Sequence, residues 1–250
     1  MLVAQSQADN IANNLANVNT NGFKTTLLQV QAGQTLDVYR FQNQPGMTGA
    51  QSAVSAPYVG QLGLGSEVYD TPAQFEQGDL EQTGNPLDLG IQGANAFFSV
   101  GTANGVRYTR DGQFLRDGNG LLSTQDGQPV LGTNGNPIAV PNGDFQIATD
   151  GTITQNGARL GQLAVTRFAN LTALRPEGDN FFQNSGAANP SPATGASVQQ
   201  GVLEKSGTNV VRSMVDLIAA ERWFDTNQKM VQTQDDTTEF AISAVGKTQH

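Results

Sequence analysis

The chain carries 250 residues in 26.3 kDa, with 37% hydrophobic and only 14% charged positions, below the typical ~45–50% and ~25%. Its 26 Gln, 21 Asn and 29 Gly argue against an enzyme packed around one large interior, yet apolar strand-like runs are too frequent for a disordered chain. A net charge of −9 with no basic stripe excludes binding by phosphate neutralisation, the absence of cysteine excludes disulfide and thiolate chemistry, and no run approaches the ~18 apolar residues of a membrane span.

From the N-terminus, Met1, Ala4, Ala8, Ile11, Leu15 and Val18 recur at alternating spacings of 3 and 4, which predicts a helix with a heptad seam. The seam is narrow and partly Ala, so the helix needs a partner. No basic segment followed by an apolar run opens the chain, so no cleavable secretory signal is expected. Residues 40–66 are poor in charge and rich in Gln, Gly, Ser and Ala, with Pro45 and Pro57. They read as the body of an extended linker or arm over residues 25–75.

The middle reads as β structure. Phe97-Phe98-Ser99-Val100, an Asn104-Gly105 turn and Val106-Arg107-Tyr108-Thr109 form a predicted hairpin. Gln113–Arg116 and Leu121–Thr124 repeat the scheme around Asp117-Gly118-Asn119-Gly120, and further Asp-Gly and Asn-Gly turns follow up to Asn156-Gly157. Such punctuation predicts a many-stranded antiparallel domain over 76–200 whose strands bury alternate faces. Residues 184–200, with Asn189-Pro190-Ser191-Pro192, read as a second linker. From Asn209 to Lys247 neither Pro nor Gly occurs before Gly246, and Val210, Met214, Leu217, Phe224, Val231, Ile242 and Val245 keep a 3/4 register. Glu221, Gln228, Asp235 and Thr238 interrupt it, so this long helix suits neighbours on several sides, which would also cover Val211, Ile218 and Trp223.

Reactive chemistry finds little support. The only histidine is the terminal His250, which leaves no imidazole for a Ser-His-Asp arrangement. Asp117–Leu121 starts like a calcium loop but sets Leu121 where an oxygen ligand belongs, and reads as a tight turn. Gly60–Gly65 has the wrong order for a dinucleotide fingerprint. Asp79 and Glu81 read as solvated loop, and no Asp or Glu stands in an apolar context that would raise its pKa. No catalytic, cofactor-binding or metal residue is assigned.

Ile11-Ala12-Asn13-Asn14-Leu15-Ala16-Asn17-Val18-Asn19-Thr20-Asn21-Gly22-Phe23-Lys24 resembles the N-terminal signature of bacterial flagellar basal-body rod and hook proteins. Thr83–Leu89, Phe97-Phe98 and Tyr108-Thr109-Arg110-Asp111-Gly112 resemble the start of that family's β domain. Gly201-Val202-Leu203-Glu204, Asn209-Val210, Met214-Val215 and Glu221-Arg222-Trp223-Phe224 resemble its C-terminal helix. Ser206-Gly207-Thr208 departs from the family's more compact junction, and members usually carry a short run of residues before the position of Met1, which implies a trimmed or mis-set start. Leu160–Leu163, Phe168 and Gly178-Asp179-Asn180 look more like the proximal-rod than the distal-rod type, whose Asn-Pro-Ala-Gly-Leu stretch is here Asn170-Leu171-Thr172-Ala173-Leu174.

The resemblance implies a mixed α and β fold, an antiparallel β-rich central domain flanked by N- and C-terminal α-helices that pair as a coiled-coil-like inner domain. Helices would occupy 1–24 and 201–250, the arm 25–75 and the outer β domain 76–200. It implies a self-assembling structural subunit of the rod that transmits motor torque, exported by the flagellar type III apparatus without a cleaved signal into the periplasm-spanning basal body. Its partners would be copies of itself and other rod or hook proteins, with no cofactor, nucleic acid or small-molecule substrate. Assembly contacts are expected at Ile11, Asn13, Asn14, Leu15, Asn17, Val18, Met214, Leu217 and Phe224. A distal-rod or hook-type member of the same family stands as the alternative, and a cell-wall-remodelling enzyme or a β-domain binding module stands in another class.

Overall fold

In the computed structural model, described over residues 2–39, 58–93, 95–186 and 188–246, the chain is mixed α and β. It is mostly antiparallel strands, with an N-terminal helix α1 (Leu2–Ala16) and a C-terminal helix α2 (Val210–Gly246). Met1 of the seam, residues 40–57 of the arm, Lys247 and His250 lie outside the described residues. Helix α1 stops short of Val18 because Asn17 turns its amide back: Nδ2 donates to Asn13 O at 2.9 Å, and Val18 N–H reaches Leu15 O in a tightened last turn. Helix α2 begins at an Asn209 cap, whose Oδ1 accepts from Arg212 N–H at 3.0 Å, and its 37 residues span roughly 55 Å.

Two compact units divide the chain. The first comprises Met1–Gln7, Leu28–Thr71 and Glu221–His250. Within it β1 (Gln29–Ala32), β2 (Thr35–Tyr39), β3 (Tyr58–Gly63) and β4 (Ser66–Asp70) form two antiparallel ladders, β1 with β4 and β2 with β3. The described part of the expected arm therefore contains four paired strands. Gln-rich and Gly-rich sequence concealed it, because these strands have no buried face to enforce an alternating pattern.

The second unit comprises Ala8–Leu27 and Pro72–Ala220. It contains β5 (Leu80–Gln82), β6 (Leu89–Gln92), β7 (Ala96–Thr102), β8 (Gly105–Thr109), β9 (Leu115–Arg116), β10 (Leu122–Ser123), β11 (Gln146–Ile147), β12 (Thr152–Gln155), β13 (Ala158–Gln162) and β14 (Val165–Phe168). After a 3-10 turn at Leu171–Ala173 come β15 (Leu174–Gly178), β16 (Phe181–Asn184), β17 (Pro190–Pro192), β18 (Ser197–Gln200) and β19 (Val202–Glu204). Six strands make one antiparallel sheet in the order β15-β16-β8-β7-β14-β17, and β11-β12-β13, β9–β10, β6–β18 and β5–β19 pair separately.

The expected hairpin is β7–β8, with Phe98 opposite Thr109 and Thr102 opposite Gly105. Its central strand departs from the expected one-sided burial, because β7 is covered on both faces. Phe98 enters a core with Leu89, Ile91, Leu122, Val130 and Ile153. Phe97, on the opposite face, packs edge-on against Phe75, Phe168 and Phe182 at 5.5–5.8 Å between ring centres. The two adjacent phenylalanines thus seed two cores.

The expected tight turn at Asp117 is observed, its carboxylate accepting from Asn119 N–H at 2.9 Å and Leu121 N–H at 2.7 Å. Those backbone donors hold its pKa below the ordinary carboxylate value. Residues 184–200, read as a linker, instead supply β17 and β18. Proline signals a break in most contexts, but an edge strand tolerates it, and Pro190 and Pro192 lie on the sheet's outermost strand.

Candidate assembly interface

A helix with apolar residues on several sides must either be surrounded or leave them in water. Helix α2 leaves them: Val211 is 73% exposed, Trp223 55% and Phe240 74%, with Met214, Val215, Ile218, Met230, Val231 and Ile242 also exposed. Of the expected contact residues, Leu217 and Phe224 are half-buried beside a buried Ala220, while Met214 is open. On the N-terminal side Ile11, Leu15 and Val18 are half-buried and Asn13 is exposed. Val30, Leu36, Val38, Leu62 and Val68 are likewise uncovered on the β1–β4 and β2–β3 ladders. Large apolar side chains left in water in this number are a feature of interaction surfaces.

The three asparagines separate. Asn13 and Asn17 meet through the Asn17 Nδ2 donation to Asn13 O that closes α1, and Asn17 Oδ1 also accepts from the Thr20 hydroxyl. Asn14 is buried, and both its amide atoms reach Thr26: Nδ2 donates to Thr26 O at 2.8 Å and Oδ1 accepts from Thr26 N–H at 2.9 Å. Asn10 adds a 2.8 Å donation to the Thr26 hydroxyl.

Beyond the helix, the Asn-Thr-Asn-Gly-Phe-Lys segment docks on the β-rich unit. Gly22 takes φ +68° and its N–H donates to Glu204 O at 2.7 Å. A Cβ there would lie 2.4 Å from the Arg110 carbonyl carbon, so glycine is required for both conformation and approach. Asn180 Nδ2 donates to Asn21 O, and Asn21 Nδ2 to Gln113 Oε1.

Beneath this contact lies an ion triad that sequence reasoning missed. Lys24, Arg110 and Glu204 are each at most 2% exposed. Lys24 Nζ sits 2.5 Å from Glu204 Oε1 and Arg110 Nη1 2.9 Å from Oε2. Gly78 N–H donates to Oε1 as well, at 2.9 Å. Lys24 also donates to Glu76 O at 2.6 Å, and Arg110 to the carbonyls of Ile91 and Gly93 while stacking on the Phe97 ring. Burial pulls the Lys24 ammonium below its ordinary range, and Glu204 draws it partly back. The available signal was that all three charges fall inside the family-like segments of a chain poor in charge.

One carboxylate overturns the expectation that none is raised. Asp111, largely buried, has a pKa pushed up to about 6, mainly by desolvation and further by Asp126 and Asp88, against the Gln113 N–H that favours its ionised form. Glu81, by contrast, is solvated and pairs with Lys205 at 2.6 Å on the surface. The buried charges hold chain segments together, and large apolar side chains stand uncovered along α2 and the β1–β4 and β2–β3 ladders. This arrangement is built to bind and to hold.

Comparison with known proteins points the same way. The family described as "Flagellar hook protein FlgE/F/G D1 domain" matches residues 90–157, and "Flagellar basal body rod FlgEFG protein C-terminal" matches residues 199–244. The flagellar basal-body rod protein FlgF of Caulobacter vibrioides is 32% identical over 248 residues, covering 98% of this chain and 94% of that protein. FlgG of Bacillus subtilis is 32% identical over 93% of this chain and 90% of its own length. FlgG of Buchnera aphidicola subsp. Baizongia pistaciae is 35% identical over 90% and 88%.

Proposed function

The chain belongs to the flagellar basal-body rod protein family, and we infer that it is a structural subunit of the rod, with no catalytic role. The observation that carries this is the uncovered apolar surface of α2 on a chain related to rod proteins over nearly its full length. Water-exposed Val211, Met214, Ile218 and Trp223 favour association by the free energy of apolar burial, about 25 cal/mol per Å². Copies of the chain and other axial proteins of the flagellum are the partners, reached through the type III export apparatus, and the assembled tube transmits torque.

In this proposal the terminal segments 1–24 and 201–250 pair as a coiled-coil-like inner domain, with 25–75 as arm and 76–200 as outer domain. Ile11, Asn13, Leu15, Asn17, Val18, Met214, Leu217 and Phe224 face that assembly, whereas Asn14, expected there too, is buried against Thr26 of its own chain. The proximal-rod type is favoured, supported by the Leu160–Leu163 and Gly178–Asn180 stretches and by Asn170-Leu171-Thr172, which forms a capped 3-10 turn. A tagged copy should sit in the rod of isolated basal bodies, and Leu15→Asp should abolish rod assembly while the β-rich unit stays folded, because an unpaired charge on a desolvated seam costs several kcal/mol. Normal swimming by Leu15→Asp cells would remove the seam from the interface. Muropeptide release by purified protein from peptidoglycan would replace the structural reading with an enzymatic one.

A further inference from the structure

We infer that Glu204 makes docking of the N-terminal signature segment contingent on prior placement of the C-terminal strand β19, so that the buried triad acts as a completeness latch between the two ends of the chain. The inference concerns the single chain and stands apart from the rod assignment.

The two cations of the triad are not equivalent. Arg110 is held by the carbonyls of Ile91 and Gly93 and by the Phe97 ring, all within the β-rich unit, so much of its support survives without Glu204. Among the described residues, Lys24 has Glu76 O as its one acceptor besides Glu204. Bringing Lys24 to its site before Glu204 arrives would bury an ammonium beside the Arg110 guanidinium with no anion between them, and their mutual repulsion is already evident in Lys24. Glu204 reaches the site when β19 pairs β5 in the register that sets Glu204 opposite Leu80. The carboxylate then serves Lys24, Arg110 and Gly78 N–H together.

Backbone bonds reinforce the order. Gly22 N–H donates to Glu204 O and Gly207 N–H to Phe23 O, so Gly22 and Phe23 are bonded to the end of β19 and to the segment that follows it. The contacts join positions 180 residues apart in sequence. A chain whose C-terminal part is missing or unpaired therefore keeps its N-terminal signature undocked.

Hydrogen exchange on the full-length monomer tests this. Glu204→Gln keeps the shape and an acceptor for Gly78 N–H but removes the charge. Amides of residues 20–27 should lose at least about tenfold protection, while Ser99, Val100 and Leu131 keep theirs. Unchanged protection over 20–27 would overturn the inference. The double variant Lys24→Met/Glu204→Gln separates a charge latch from simple packing. With no ammonium to bury, protection of 20–27 should return to within a few fold of the Lys24→Met level. If Glu204→Gln unfolds the whole chain, the double variant should refold it. Failure of Lys24→Met to rescue, in either case, refutes the latch.

Discussion

Asn14 completes Thr26 as a strand would. Thr26 pairs with Ala73 in an isolated antiparallel bridge whose flanking bonds run from Leu27 N–H to Pro72 O and from Gln74 N–H to Thr25 O. The N–H and C=O of Thr26 itself therefore point the other way, where both meet the Asn14 amide at 2.9 and 2.8 Å. An amide is the one side-chain group that copies a peptide edge, donor and acceptor together. Its poor helix propensity at this position is offset by two bonds that Ala cannot make.

Asn14→Ala should accordingly lower stability by about 2 kcal/mol, because it strands two backbone groups at a buried site. Asn13→Ala, at an exposed position of the same helix, should be neutral or stabilising by a few tenths of a kcal/mol. Urea unfolding of the two variants side by side measures the difference, and equal midpoints would remove the structural role of the Asn14 bridge.

Asp111 sets a pH dependence. Its pKa of about 6 in the folded chain exceeds the ordinary 3.8, so the folded state holds this proton more tightly than the unfolded state. Stability from this group is full below about pH 4 and is lost as pH rises through 6. Asp111→Asn keeps an acceptor for Gln113 N–H and should exceed the parent chain by about 2 kcal/mol at pH 8, with the gap closing near pH 4. A gap independent of pH would contradict the assignment.

Gly112 and Gly118 differ in what surrounds them. A Cβ on Gly112 would fall 1.6 Å from the Leu89 carbonyl oxygen, whereas one on Gly118 meets nothing within 4 Å. Gly112→Ala should cost about 4 kcal/mol or more and Gly118→Ala within about 0.5 kcal/mol. Thermal melts followed by circular dichroism distinguish them, and a native melting temperature for Gly112→Ala would mean that Leu89 can move aside.

Trp223 is the only tryptophan and is half in water. On assembly its emission should move to shorter wavelength and its quenching by acrylamide should fall, since burial removes solvent from the indole. An unchanged spectrum in assembled material would place Trp223 outside the contact.

Much of this architecture is written locally. The 3/4 spacing of the two helices, the Asn104-Gly105 hairpin and the Asp117 turn each depend on residues a few positions apart, and each element is found, although the helices are shorter than the expected 1–24 and 201–250, ending at Ala16 and beginning at Val210. The unreadable parts depend on distance or context. Lys24 and Glu204 are 180 residues apart, and nothing near either names the other. Asn14 is conspicuous in a heptad run, but Thr26 is identified only by the returning chain. Strands β1–β4 carry no buried face, so no periodicity announces them. Asp111 follows a polar Thr-Arg pair and acquires its raised pKa from burial that only the folded chain supplies.

The prolines at the rims of the six-stranded sheet bear on how such a chain can survive at high local concentration. Ala193 N–H donates inward to Val165 O, so by strand alternation the nitrogens of Pro190 and Pro192 face outward from β17. On the opposite rim Ala173 O accepts from Ser185 N–H, which by the same alternation turns the Pro176 nitrogen of β15 outward. Each outer rim thus offers acceptors where a new strand would seek donors. Runaway sheet growth, the route to amyloid, is blunted on both flanks, and ordered stacking of subunits is left free of that competitor.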